Sequence, residues 1–202
     1  MQNIKRFYDK PYMTIGIIVV NIIVFVLMSL SGSTLDAQYM AAHGAMYPEY
    51  IKDGQYWRLF TSMFMHFGLM HILNNMVVLG AVGQIVEKAM GHVKLLITFL
   101  VSGMCGSVLS YIVMLYNNDF AVSAGASGAI FGLVLVWIVI ANRGFYEGIS
   151  RPQAVFMVIL MIYYGVSTQG VDNWAHGGGL AGGFVISIVL YRKKRYNRYS
   201  IN

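Results

Sequence analysis

Ser127 sits in the run GASGAIFG, Gly125 to Gly132, at the head of a segment that continues LVLVWIVIA. A hydroxyl fenced by glycine and alanine in so apolar a setting has two readings. It is a packing residue in a close helix crossing, or a nucleophile that needs a base. Histidine is the commonest general base, and His176 stands in a comparable run, NWAHGGGLAGG. A third polar station is HFGLMHILNN, with His66, His71, Asn74 and Asn75. His71 and Asn75 are four residues apart and share a helical face. Both side chains donate hydrogen bonds. Aimed at the serine, they would hold the oxyanion of a tetrahedral intermediate. His66 lies five residues before His71, on a different face and nearer the outer surface, where a structural role is an equal reading.

The elements that must position these groups are membrane spans. The 202 residues are 57% hydrophobic and 11% charged, with a mean hydropathy of +0.62. A soluble domain carries roughly 25% charged residues, so most of this surface must face lipid. Apolar runs mark spans at roughly 13–31, 67–87, 94–115, 124–141, 153–165 and 174–191. At about 20 residues per spanning helix, six spans use nearly the whole chain. The expectation is an all-α polytopic protein with one transmembrane domain over 1–202. Residues 1–12 form a cytoplasmic tail, 32–61 an outer loop with interfacial helical matter, and 192–202 a basic cytoplasmic tail. The first apolar run reads as a retained span, since no small-residue cleavage site follows it. The single cysteine, Cys105, excludes an internal disulfide framework.

The net charge of +6 does not point to nucleic acid, because of where the charge lies. Lys5, Arg6, Lys10, Lys88, Lys94, Arg143, Arg151, Arg192, Lys193, Lys194, Arg195 and Arg198 all fall on one side of the six spans. Only Lys52 and Arg58, in the long first loop, fall on the other. The positive-inside rule places both termini in the cytoplasm, with the tail YRKKRYNR anchoring to anionic lipid. The second, fourth and sixth spans then all enter from the outer face. His71, Asn75, Ser127 and His176 each lie within the first two turns of such a span. At 1.5 Å per residue they share a depth to within about 10 Å.

Each feature also has a plain reading. A serine in a span is commonly an interface residue or bonded back to a carbonyl. Gly128 and Gly132, Gly178 and Gly182, and Gly179 and Gly183 make GxxxG spacings that let helices approach closely. That packing supports the reactive reading, because Ser127 and His176 each stand beside such a stripe. If the fourth span packs on the sixth there, the two side chains come within hydrogen-bond reach. Asp172, four residues before His176, could pair with the imidazole; its simpler reading is the N-cap of the sixth span. Glu87 and Lys88, at the inner end of the second span, look like a boundary or a capping contact.

The pair Trp57–Arg58 in the first loop, HFGLMHILNN, GASG around Ser127 and AHGGGLAGG around His176 occur in a specific order. In these features the chain resembles the rhomboid intramembrane serine protease family, in its basic bacterial six-helix form. The resemblance covers the loop and the second, fourth and sixth spans. It implies a Ser127–His176 dyad without a third carboxylate, and an oxyanion hole from His71, Asn75 and the Ser127 backbone N–H. Supporting positions would be His66, Gly125, Gly128, Phe131, Trp57, Arg58, Gly179 and Gly183. Phe131 stands where some members have tyrosine; stacking on the imidazole is kept and a hydroxyl contact is lost. The first loop would be a half-buried helical hairpin. The fifth span with the loop Gly165–Asn173 would be a mobile gate for a substrate helix. The implied location is a bacterial plasma membrane, with the site open to the outer side. The implied partners are lipid and transmembrane substrates with helix-destabilising segments. No cofactor and no metal are expected.

Rival chemistries fare less well. A membrane metalloprotease needs HExxH or similar with a carboxylate ligand, and the spacing of His66 and His71 does not supply it. An aspartyl membrane protease needs two aspartates within spans, and none lies there. A transporter using His71 and His176 as proton relays stays open, although no embedded carboxylates or repeat symmetry are visible. A non-catalytic adaptor that binds transmembrane clients also stays open.

Overall fold

The structure is a computed structural model that describes residues 10–142, 151–168 and 170–190. The expected N-terminal tail up to residue 9, Arg143 in the fourth connection, Gln169 in the expected gate loop and the basic tail 192–202 lie outside the described residues. The chain is all-α. Helix α1 (Tyr12–Ser31) leads into short pieces α2 (Ala37–Ala42), α3 (Pro48–Lys52) and α4 (Arg58–Thr61), and a 3-10 turn over Ser62–Phe64. Long helices follow: α5 (Gly68–Met90), α6 (His92–Asn117), α7 (Ser127–Asn142), α8 (Arg151–Ser167) and α9 (Asn173–Leu190). Among the described residues the only strand-like pairing is an antiparallel bridge between Met46 and Ser123.

By length and composition alone, α1, α5 and α6 are able to cross a membrane. With α7, α8 and α9 they form a six-helix membrane bundle. Apolar side chains point outward along α1, among them Ile15, Val19, Ile22, Ile23, Val26 and Leu30. In water such a surface would be a liability; in lipid it is the ordinary outer face. The core gathers Leu79, Val82 and Val86 of α5, Leu95 and Phe99 of α6, and Ile130, Leu133 and Val134 of α7. So α7 is largely enclosed over 127–136, which fixes the head that carries Ser127.

Two contacts fix the frame. Glu87, buried in the last turn of α5, accepts the backbone N–H groups of Met13 at 2.7 Å and Thr14 at 2.8 Å, and the Thr14 hydroxyl at 2.5 Å. It also bonds His92 Nδ1. First-turn N–H groups have no partner inside their own helix, and a carboxylate there also complements the helix dipole. The capping contact expected for Glu87 is therefore the N-terminus of α1, supplied across the bundle. In the first loop, buried Arg58 donates to the carbonyls of Ala41 at 2.5 Å and Ala45 at 3.1 Å, and to Gln55 Oε1 at 2.8 Å. Its guanidinium lies 4.5 Å from the Tyr50 ring and 4.7 Å from the Trp57 ring. One planar cation thus ties the pieces of the loop together.

Three boundaries differ from the sequence-based spans. The turn between α5 and α6 is the single residue Gly91, at φ +91°, where a longer loop is expected from the charge of Lys88 and Lys94. Those lysines lie on helical turns, because a long cation at a span end reaches polar surroundings without leaving the helix. The fourth span starts at Ser127, not near 124. Residues before it pair outward instead: Ser123 exchanges both backbone hydrogen bonds with Met46 at 2.9 Å, and Gly125 N–H goes to the Ser62 carbonyl at 2.9 Å. Finally, His66 is not on a helix face at all. It precedes α5 and is enclosed.

Candidate active site

Glycine builds the meeting place. A Cβ added at Gly178 would strike the Cys105 carbonyl oxygen at 2.5 Å and Gly106 Cα at 2.9 Å, both on α6. One added at Gly179 would overlap the Gly128 carbonyl of α7, and one at Gly183 the Gly132 carbonyl. The two expected stripes on α9 therefore part company: Gly178 and Gly182 face α6, and Gly179 and Gly183 face α7. Backbones approach this closely because α9 carries no side chain at these positions, and against α7 neither helix does.

That packing brings His176 Nε2 to 2.9 Å from Ser127 Oγ. Phe131, one turn into α7, stacks on the imidazole with ring centroids 4.1 Å apart and planes at 14°. Both reacting groups are half-buried. For the serine to donate to Nε2, the neutral ring must carry its proton on Nδ1. Among the described residues Nδ1 bonds to no protein group, and Asp172 directs its carboxylate elsewhere. Asp172 Oδ1 accepts the Ala175 N–H at 2.9 Å, the N-cap contact. Its Oδ2 accepts the hydroxyls of Ser110 at 2.5 Å and Ser123 at 2.6 Å.

The second polar station lies opposite. Phe67 N–H donates to His71 Nδ1 at 3.3 Å. This hydrogen bond assigns the His71 proton to Nε2. That nitrogen lies beside Gly125, where an added Cβ would sit 2.9 Å from it and 3.7 Å from Ser127 Oγ. Gly125 adopts φ +140°, a region open to glycine and costly for other residues. A side chain there would both strain the turn and fill the gap between His71 and the serine. Asn75, one turn further along α5, is buried, and among the described residues its Nδ2 has no partner. A buried donor left unmade is costly, so its use is a question the structure poses. Ser127 is the first residue of α7, so its N–H lacks an intrahelical partner. His66 stands behind this group: its Nε2 accepts the Ala126 N–H at 3.4 Å, and its ring meets His71 edge-on at 5.1 Å.

Ser127, His176, Phe131, His71, His66 and Gly125 thus collect around the head of α7, with Asn75 one turn along α5 from His71 and with Gly128, Gly179 and Gly183 forming the joint. Trp57 and Arg58 do not join them; they hold the first loop. Sequence reasoning passed over Ser110 and Ser123. Ser110 had a signal: Ser102, Gly106 and Ser110 repeat every four residues, a small-residue stripe on α6 that marks the face meeting α9. Ser123, in an irregular connection, had none.

An integral membrane bundle with a serine and an imidazole facing each other from separate helices defines a narrow class. The sequence pattern of the Rhomboid domain matches residues 53–193, and the chain belongs to the rhomboid family. It is 32% identical over 183 residues to the "Rhomboid protease GluP" of Bacillus subtilis, covering 90% of this chain and 35% of that protein. It is 36% identical over 167 residues to "RHOMBOID-like protein 7" of Arabidopsis thaliana, covering 81% and 51%. It is 34% identical over 145 residues to "Rhomboid-like protease 5" of Toxoplasma gondii, covering 69% and 17%. The chain thus spans about a third to a half of the length of the first two relatives.

Proposed function

We propose that the protein is an intramembrane serine endopeptidase that cuts peptide bonds in or near transmembrane helices. The observation that carries this reading is the 2.9 Å contact between Ser127 Oγ and His176 Nε2, under the stacked Phe131 ring. Ser127 Oγ attacks the scissile carbonyl carbon while His176 Nε2 takes its proton. The oxyanion that forms is held by His71 Nε2–H, Asn75 Nδ2–H and the Ser127 backbone N–H. Collapse expels the amine, which takes the proton back from His176. Water, deprotonated by the same imidazole, then releases the acyl group. Ser127 and His176 act as a dyad, since Asp172 caps α9 and does not bond the ring. The Asn75 amide and the α7 N-terminus supply donors in a place of low dielectric, where they count for most.

By the positive-inside count the termini face the cytoplasm and the site opens to the outer side of a bacterial plasma membrane. The first loop lies in the outer interface, and α8 with the connection between α8 and α9 forms the gate. Substrate helices with glycine or proline near their outer ends are preferred, because a helical carbonyl is already bonded and shielded. The test is direct. The protein in liposomes with a labelled single-span substrate should cut near the outer end of that helix. Ser127→Ala and His176→Ala should each abolish cutting, and a metal chelator should not. Cutting that persists in Ser127→Ala would remove the nucleophile. No cutting by folded wild-type protein would favour the transporter or adaptor reading.

A further inference from the structure

The glycine joint fixes how close α9 lies to α6 and α7. It supplies few side chains that interlock, so it does little to fix rotation of α9 about its own axis. Rotation matters here. With a helix radius of about 5–6 Å, a turn of about 10° carries a side chain roughly 1 Å sideways. A displacement of that size is enough to lose a productive alignment. Something else must set the angle at which His176 faces Ser127.

We propose that Asp172 is the positioning residue that does so. Its carboxylate joins three segments at the head of α9. Oδ1 takes the Ala175 N–H of α9 itself, and Oδ2 takes the hydroxyls of Ser110 on α6 and Ser123 on the connection that leads to Ser127. Ser123 is pinned in turn to Met46 of the first loop by two backbone hydrogen bonds of 2.9 Å. The Asp172 carbonyl accepts the His176 N–H at 3.3 Å, so the clamp and the imidazole are one helical turn apart on one face. An N-cap needs one carboxylate oxygen. The second reaches two other segments, and this is what a cap alone leaves unexplained. The inference rests on the proteolytic reading for its consequence, but not for its geometry.

Three variants separate clamp from cap. Asp172→Ala loses both. Asp172→Ser keeps a good cap but is too short to reach Ser110 and Ser123. Asp172→Asn keeps an oxygen for Ala175 and gains an amide that donates to both serine oxygens. The expected result on a single-span substrate is a fall in kcat of about 10- to 100-fold for the alanine and serine variants, with KM unchanged. The asparagine variant should recover most of the rate. A second readout needs no proteolysis: cysteines placed by Ser127→Cys and His176→Cys, in a Cys105→Ala background, are joined by a short bis-methanethiosulfonate reagent. Adding Asp172→Ala should slow that joining. Full kcat in folded Asp172→Ser, or unchanged joining in Asp172→Ala, would overturn the inference. If Asp172→Ala does not fold, the double variant Ser110→Ala, Ser123→Ala decides: a drop in kcat supports the clamp, and the wild-type rate refutes it. If wild-type protein cuts nothing, the protease reading fails and the cross-linking arm alone judges Asp172.

Discussion

Gly179→Ala should uncouple the two reacting groups while leaving both in place chemically. The added Cβ would lie 2.6 Å from the carbonyl carbon of Gly128 and 3.0 Å from its Cα, with the carbonyl oxygen closer still. Every one of these atoms is backbone of α7, so nothing can swing aside. Ordinary contact begins near 3.4 Å, so relieving the overlap with the carbonyl oxygen parts the helices by about 1.5 Å, a distortion that costs about 1–3 kcal/mol. Gly128 adjoins Ser127, and Gly179 lies one turn beyond His176. Most of the separation therefore falls on their 2.9 Å contact, stretching it to about 4 Å or more, beyond a working hydrogen bond. A misplacement of that order costs about 100-fold in rate. The assay is the initial cleavage rate of a labelled single-span substrate in liposomes, with a melting curve to show folding. Gly177→Ala is the control, since a Cβ there meets nothing within 4 Å; it should cut at the wild-type rate. Wild-type cleavage by folded Gly179→Ala would refute the claim that this joint sets the serine–histidine distance.

Other substitutions probe the remaining parts. Asn75→Ala should lower kcat/KM by about 10²–10³-fold, equivalent to about 2.7–4 kcal/mol, with the melting temperature little changed. Near-normal turnover would exclude the amide from the oxyanion hole. Phe131→Ala should slow cleavage by up to about 10-fold, since a stacked ring pair is worth about 0.5–1.5 kcal/mol, and Phe131→Tyr should retain the rate; an alanine variant as fast as wild type would deny the stacked ring any part in holding His176. Glu87→Ala should destabilise the fold by about 3 kcal/mol, because it strips the acceptor from one buried and one part-buried backbone donor and from a buried hydroxyl. Unfolding followed by denaturant would measure it, and an unchanged midpoint would show that water replaces the carboxylate at no cost.

Much of the architecture was legible because lipid simplifies the problem. A span must be apolar, so polar residues such as His71, Asn75, Ser127 and His176 stand out, and glycine spacing announces where helices touch. The number and order of the long helices followed from that alone. What stayed hidden depends on contacts distant in sequence. Nothing near Glu87 says that its partners are Met13 and Thr14. The late start of α7 reflects the bridge of Ser123 to Met46 and the bond of Gly125 to Ser62, neither of which leaves a periodic trace. The tight turn at Gly91 was masked by flanking lysines that read as loop. The sequence marks Asp172 as a cap, and one of its oxygens is; the other serves Ser110 and Ser123, on two segments far from it in sequence.

The clamp at Glu87 has a consequence for how the chain is made. Its partners are separated by 73 residues. At a synthesis rate of about 5–20 residues per second, α1 emerges roughly 4–15 seconds before the carboxylate that finishes it. In that interval its opening turn must be served by water or lipid headgroups. Helix α1 is thus a lodger in the bilayer until α5 is complete, and its docking onto α5 waits for the arrival of a single acidic side chain.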